Sequence, residues 1–449
     1  MPRQAGPECD PLYRVIQEHL DPFLAEATAS GRPIPYFVER ELRAYLGCGR
    51  VESGFTWYAC GDCGHSRFVP FSCKGRSFCA SCAGRRMNQL AANLVDHVLP
   101  AVPVRHWVMS FPMNVRFLLA WRPQLRKEVM AAWTDVVLGW LRKRVGGKCQ
   151  GGAVAVWQLS GSALNVNPHI HAILLDGSYV WDERRGAPVF RRARPPTQRV
   201  MERLVRQIHA RVEALLERWG LLEHVDLDDV DGQVELQLGS VQGRGCQRRR
   251  TVSARPAQRR GGLFGWDAYY DLHTGRPIPG EDRAGIERLA KYIGRPAVSP
   301  KRLSVLGDGR IRLGLRRAWA DGTTGFVFQP IELLRRVAAI VVPPRVHLVH
   351  YFGVLAPHAR WRSLVVPHPE EPEPKRCGEP ERKRCLWIPW AELLYRTFGV
   401  STCCDRCGGE MRVRAVVQTN RRLPRRSLGM GTGPPLLPTG TRRDSSQHC

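Results

Sequence analysis

Six cysteines fall within residues 48–82, at Cys48, Cys60, Cys63, Cys73, Cys79 and Cys82, and nothing else in the 449-residue chain restricts its fold so tightly. Cys60-x2-Cys63 is followed after fifteen residues by Cys79-x2-Cys82. Two residues between paired cysteines let a tight turn aim both sulfurs at one ion, and two such turns supply the four thiolates of a tetrahedral zinc. Gly61, Gly64 and Gly84 give those turns their backbone freedom. The expected site is one zinc on Cys60, Cys63, Cys79 and Cys82. Cys73, Cys48 and His65 either replace a ligand of that set, Cys73 being the first choice, or help to hold a second ion. The segment lacks periodicity and is dense in Gly and Arg, which suits a small domain organised by metal in place of a core. Far along the chain, Cys404-x2-Cys407 with Gly408 and Gly409 forms half of another such site. Its partners would be Cys377 and Cys385 or a histidine, and a role without metal is equally open.

Charge decides the class of partner. The chain carries 68 Lys+Arg against 41 Asp+Glu, a net charge of +27, while its 43% hydrophobic content is ordinary for a globular protein. So basic a chain is matched to a polyanion, and nucleic acid comes before a membrane surface because no basic amphipathic helix adjoins a hydrophobic anchor. The most apolar later stretch, 337–355, is broken by Pro343, Pro344, Arg345, His347 and His350, so no spanning helix is expected. Residues 1–20 include Glu8, Asp10 and Glu18 and no signal-like apolar run. A cytoplasmic, reducing location is therefore expected, in which fifteen cysteines are metal ligands or buried thiols and not a disulfide framework.

Periodicity gives the organisation. Leu12, Val15, Ile16, Leu20, Phe23 and Leu24 recur at helical spacing, a second helix is expected over 36–46, and another restarts near Gly84 and closes at Pro100. Residues 105–111 read as a strand and 117–145 as one long helix. Residues 153–159 and 169–175 form two β-rich runs around a Gly/Ser/Asn turn, the signal of an antiparallel hairpin. Thr197 opens a helix that Gly220 stops, strands follow at 234–238 and 250–253 around an Arg-rich turn, and Asp282 opens a helix ending near Ile293. The fold class expected is α+β, a central antiparallel sheet with flanking helices preceded by a small zinc-binding domain. The boundaries are 11–100 for the helical and zinc-binding part, 104–330 for the sheet domain, 331–416 for a segment with the Cys404/Cys407 half-site, and 417–449 for a basic disordered tail. Residues 367–385 read as a Pro- and charge-rich linker.

Two features inside the sheet domain carry chemistry. Asn167-Pro168-His169-Ile170-His171 opens a strand, so alternation puts both imidazoles on one face and Ile170 on the other. Gln158 lies on the preceding strand, where its amide oxygen could become a third ligand to a divalent ion shared with His169 and His171. Magnesium or manganese so held would leave positions open to phosphate oxygens. The bland alternative is a polar strand end. The best-placed nucleophile is Tyr292, because Ile286, Leu289 and Ile293 turn inward and leave it on the flank, with Lys291 and Arg295 beside it to hold phosphate.

The runs SCKGRSFCASCAGRRM, VRHWVMSFP, SALNVNPHIHAILLDG, ERLAKYIGRP, HYFGVLAPHARWR and CDRCGGEMRVRA, in that order, resemble the zinc-headed rolling-circle transposases of the ISCR type, members of the HUH endonuclease superfamily. The resemblance runs over about residues 38–416. It implies an HUH-type sheet and a metal-dependent nuclease and strand transferase that acts on single-stranded DNA at the ends of its own mobile element. His169 and His171 match the family's histidine pair, Tyr292 its catalytic tyrosine, and residues 60–82 its zinc-binding region. The two-tyrosine branch has a second tyrosine four residues from the first, whereas Arg288 and Pro296 stand at those positions here. The chain therefore resembles the single-tyrosine branch.

The expected function is thus a transposase that forms a 5′-phosphotyrosine and transfers the strand, with DNA held by Lys291, Arg295, Arg85, Arg86, Arg248 and Arg249. Element ends and target DNA would be its partners, with no membrane involved. Two other readings stand beside it. One is a non-catalytic zinc-dependent DNA-binding protein, and the other a replication initiator or relaxase with the same chemistry.

Overall fold

The computed structural model describes residues 10–222, 263–319, 321–367 and 403–418. The expected strands at 234–238 and 250–253, the arginines Arg248 and Arg249, most of the linker, Cys377, Cys385 and the basic tail lie outside the described residues.

The chain opens with helices α1 (Pro11–Ala29) and α2 (Tyr36–Leu46). Asp10 caps α1 by accepting from the Leu12 amide at 3.0 Å, and its other oxygen takes the Tyr45 hydroxyl at 2.8 Å. A hairpin of β1 (Phe55–Cys60) and β2 (Ser66–Pro70) follows, then α3 (Ala80–His97), which starts four residues before the expected Gly84 with Cys79 at its N-cap. Next come β3 (Val104–Ser110), α4 (Met113–Trp121) and α5 (Pro123–Val145). The single helix expected over 117–145 is two. Proline at 123 has no amide to continue α4 but suits the first turn of α5, and Arg122 between them leaves helical conformation. The buried Arg126 guanidinium then donates to the Leu119 and Ala120 carbonyls, both at 2.7 Å, which closes the C-terminus of α4.

Strands β4 (Cys149–Gln150), β5 (Gly152–Ser160), β6 (Val166–Leu175), β7 (Gly177–Asp182) and β8 (Ala187–Arg192) lead to α6 (Gln198–Arg218). After them come β9 (Leu263–Asp267), β10 (Tyr270–Ile278) and α7 (Arg283–Ile293), where Asp282 accepts from the Gly285 amide at 2.7 Å. The described chain closes with β11 (Leu303–Val305), β12 (Ile311–Gly314), β13 (Gly325–Phe328), α8 (Pro330–Ala339), β14 (Val349–Gly353), α9 (Arg362–Val365) and β15 (Met411–Val417).

A six-stranded sheet of order β14-β5-β6-β3-β10-β9, antiparallel at every pairing, forms the centre. The expected β5–β6 hairpin is there, with Gln158 opposite His169 and Val156 opposite His171. Alternation along the strands separates two faces. Trp107, Met109, Ala155, Trp157, Ile170, Ala172 and Leu272 point to one, against apolar residues of α4, α5 and α6 such as Leu119, Trp133, Val137 and Ile208. Val104, Val154, Val156, Ile173 and Leu175 point to the other, against Ala91, Leu94 and Val98 of α3 and Ile286, Leu289 and Ile293 of α7. Helices thus cover the first face along its length and leave part of the second open. The architecture is mixed helix and antiparallel sheet, as expected.

Smaller sheets complete the chain. β15-β1-β2 unites the N-terminal hairpin with the last described strand, and β11-β12-β13 packs with α1, α2 and α8 around a separate core that includes Leu42, Phe78, Leu313 and Leu333. None of the described helices is long and apolar enough to cross a membrane.

Candidate metal and tyrosine site

Period two places His169 and His171 of β6 on the partly open face, and the neighbouring strands add to them. His169 is flanked by Ser110 and Gln158, and His171, 3% exposed, by Val108 and Val156. On β3, His106 lies two residues from Val108 and so shares the face. Its Nε2 is 2.9 Å from His171 Nδ1, and the two rings stack with centroids 5.1 Å apart. His273 of β10 stands opposite Val108 and brings a fourth imidazole to the same face. Sequence reasoning missed His106 and His273. The first was legible in Arg105-His106-Trp107-Val108-Met109, where buried Trp107 and Met109 mark the core face and leave His106 on the other.

Two of these rings, His106 and His169, are held in their neutral form. Burial, helped by the charges of His273 and Arg295, pushes His106 down to about 4. Burial does the same to His169, lowered to about 4, with Arg295 and Arg116 opposing its charge and the Asn167 carbonyl favouring it. That carbonyl accepts from His169 Nδ1 at 2.7 Å, so Nδ1 carries the proton and Nε2 keeps its lone pair. Neutral imidazoles with one tautomer fixed from behind are the form in which histidine binds a metal.

The same shifts make a pH prediction. The unfolded chain takes up protons near 6.5, whereas the folded chain resists them down to about 4 at both rings. Folding stability should therefore fall as pH drops through that window, at up to about 1.4 kcal/mol per pH unit for each ring, and the contribution should be constant above it. Urea-unfolding midpoints between pH 7 and 4, without added divalent ions, measure this slope. His106→Asn should flatten it, and an equal slope in that variant would show that the ring is not the source.

Tyr292 sits at the end of α7 because Ile286, Leu289, Ala290 and Ile293 fix the helix against α3 and the sheet. Its ring remains 41% exposed and meets His106 and His171 edge-on, at centroid distances of 5.6 and 5.5 Å. The Arg295 guanidinium lies over the ring, 4.3 Å from its centroid. Gln158, expected as a ligand through its amide oxygen, is held in place through its amide nitrogen. Its amide nitrogen donates to the Ile293 carbonyl at 2.8 Å and to the Tyr292 carbonyl at 3.4 Å, anchoring the C-terminus of α7 to β5. The Lys291 ammonium pairs with Glu287 at 2.8 Å, one turn back on the helix.

Tyr292, Gln158 and His273 open onto a cavity of about 1350 Å³. Arg76, Arg86, Arg295, Arg302, Arg316 and Arg317 line it, with no carboxylate among the lining residues. Of the expected phosphate-binding arginines near the cysteines, Arg86 faces this space and Arg85, its neighbour on α3, does not. Trp319, 47% exposed, adds an aromatic surface. Such a wall matches a phosphate backbone, and the tryptophan a stacked base.

The cysteines fall into two tetrads, and the expected grouping is corrected. Cys79 and Cys82 join Cys48 and Cys73, whereas Cys60 and Cys63 join Cys404 and Cys407. Zinc–sulfur bonds of about 2.3 Å in a tetrahedron place sulfurs roughly 3.8 Å apart. In the first tetrad Cys48 lies 3.6 Å from Cys79 and 3.9 Å from Cys82, and Cys73 lies 3.5 Å from Cys82. The fifteen-residue spacing misleads because β1 and β2 carry Cys60 and Cys63 to the far end of the hairpin, away from the start of α3. His65 belongs to neither tetrad among the described residues and lies 3.7 Å from Asp405.

Residues 15–111 match the family model of the IS91-type transposase zinc-binding domain, and residues 152–362 match a model described as "Putative transposase". No curated protein and no solved structure is significantly similar to the chain.

Proposed function

We propose that the chain, whose residues 15–111 and 152–362 match transposase family models, nicks single-stranded DNA at the ends of its mobile element through a 5′-phosphotyrosine on Tyr292 and transfers the strand, by rolling-circle transposition. The observation that carries this reading is Tyr292 set edge-on against two imidazoles beside an arginine-lined cavity.

His169, His171 and His106 are the residues that would hold a divalent ion. The fit rests on the neutral rings of His106 and His169 and on the proximity of His106 to His171, while the amide nitrogen of Gln158 is engaged with α7. Magnesium or manganese there would supply Lewis-acid polarisation of a scissile phosphodiester. The rest is the work of the chain itself. The arginines of the cavity neutralise the backbone, and Arg295 keeps the Tyr292 ring oriented. Gln158 fixes the distance of α7 from the histidines. In the displacement, the Tyr292 oxygen forms a bond to phosphorus while the bond to the 3′ oxygen breaks. The proton given up by the phenol is balanced by the one gained by the new 3′-hydroxyl. Reversal by a 3′-hydroxyl of another end rejoins the strand. One tyrosine at this position holds one DNA end at a time.

The test is incubation of the purified chain with labelled single-stranded DNA from its element ends, with manganese and with chelator. A covalent adduct that requires the ion supports the proposal. Salt-sensitive DNA binding with no cleavage under either condition would favour the non-catalytic zinc-dependent DNA binder.

A further inference from the structure

We infer that the chain holds a second structural zinc, on Cys60, Cys63, Cys404 and Cys407, which ties its last described strand to the N-terminal hairpin. Half of this ligand set lies outside both segments that match the family models.

The four Sγ atoms lie within 4.8 Å of one another, with Cys60 3.5 Å from Cys407 and Cys63 3.6 Å from Cys404. These separations suit sulfurs around one zinc and are far beyond the roughly 2.05 Å of a disulfide. The residues that meet are 341 and 347 positions apart.

The backbone around them repeats itself. Each pair belongs to a Cys-x2-Cys-Gly turn, Cys60-Gly61-Asp62-Cys63-Gly64 and Cys404-Asp405-Arg406-Cys407-Gly408. In each, the glycine has positive φ, +70° at Gly64 and +77° at Gly408. The Gly64 amide donates to the Cys60 carbonyl at 3.2 Å, and the Gly408 amide to that of Cys404 at 2.8 Å. The Cys60 amide donates to the His65 carbonyl at 2.9 Å, and the Cys404 amide to that of Gly409 at 2.7 Å. Two turns of one design therefore face each other across the tetrad. A Cβ at Gly409 would overlap the Asp62 carboxylate and come 3.0 Å from Cys60 Sγ, so glycine suits this close approach.

The apolar contacts cannot account for the assembly. β15 pairs with β1 from Phe55↔Val417 to Cys60↔Met411, yet among the described residues the buried cluster beneath is Cys60, Cys404 and Met411, with Tyr58 against it. A core of that size does not hold a three-stranded sheet in water, and a metal is the usual substitute. Arg67 reinforces the closure by donating to Asp405 at 2.6 Å.

Cys63 and Cys407 are exposed, which makes the inference easy to test on the full chain. With zinc bound, both should resist a thiol alkylating reagent, and prior treatment with a strong chelator should expose them. In parallel, zinc content should fall by one ion per chain in the double variant Cys404→Ser/Cys407→Ser relative to wild type. Immediate alkylation of Cys63 and Cys407 in untreated protein would overturn the inference, as would an unchanged zinc content in a folded double variant. Should that variant fail to fold, the alkylation of the wild-type chain decides alone.

Discussion

Tyr292→Phe should abolish the covalent protein–DNA adduct while leaving DNA affinity within about twofold of wild type. The substitution removes one oxygen and keeps the ring, so the edge-on packing on His106 and His171 and the stacking of Arg295 persist. None of the arginines that line the cavity is disturbed, and the Gln158 contacts go to backbone carbonyls that the substitution does not touch. Loss of the sole nucleophile in a reaction of this type costs on the order of 10³-fold or more. Denaturing gels of labelled DNA after incubation with manganese measure the adduct, and fluorescence anisotropy measures affinity. Adduct formation at a tenth of the wild-type rate or better would remove Tyr292 from the role of nucleophile. If affinity fell together with cleavage, the tyrosine would belong to the binding surface and the non-catalytic reading would gain.

Much of the frame was legible from periodicity alone. The second helix has the expected limits, and the β5–β6 hairpin aligns Gln158 with His169 as alternation required. Legibility failed where information is non-local. His273 lies on β10, where Tyr270-Asp271-Leu272-His273-Thr274 alternates clearly, but its membership in the site depends on the pairing of β10 with β3 and not on spacing. Gln158 was placed correctly beside the histidines, yet its hydrogen bonds go to the end of α7, more than a hundred residues away. The cysteine tetrads make the same point most sharply. Spacing within a pair reports a local turn, which the structure contains. Which pairs meet is decided by the β1–β2 hairpin and by strand β15, and no interval in the sequence encodes that choice.

The first tetrad should be indispensable to the head of the protein, and Cys79→Ser/Cys82→Ser should unfold that part while sparing the sheet. Cys79 is the N-cap of α3 and Cys82 lies in its first turn, while Cys48 follows α2, so the ion these thiols would bind joins two helices. Cys48, Cys79 and Cys82 are also buried within a core shared with Leu42, Tyr45 and Phe78. Structural zinc contributes roughly 10–16 kcal/mol in small domains, as much as the whole stability of an average protein, about 5–15 kcal/mol. Serine supplies no comparable ligand and leaves buried hydroxyls behind. The later turns of α3 are held differently, by Ala91, Leu94 and Val98 against α7 and the central sheet, so the histidine face should survive. Hydrogen exchange should then show fast exchange over residues 48–54 and 71–82, with protection retained in β3, β5 and β6 and in the β1–β2 hairpin beside the second tetrad. The wall of the cavity that carries Arg76 and Arg86 would be lost with the head. If both contact phosphate, the slope of log affinity against log salt on single-stranded DNA should fall by about 1.4, at roughly 0.7 per contact. Unchanged exchange over 48–54 and 71–82 would show that the thiols pack without metal, and an unchanged slope in a protein whose head had unfolded would take the arginines of that wall out of the DNA path.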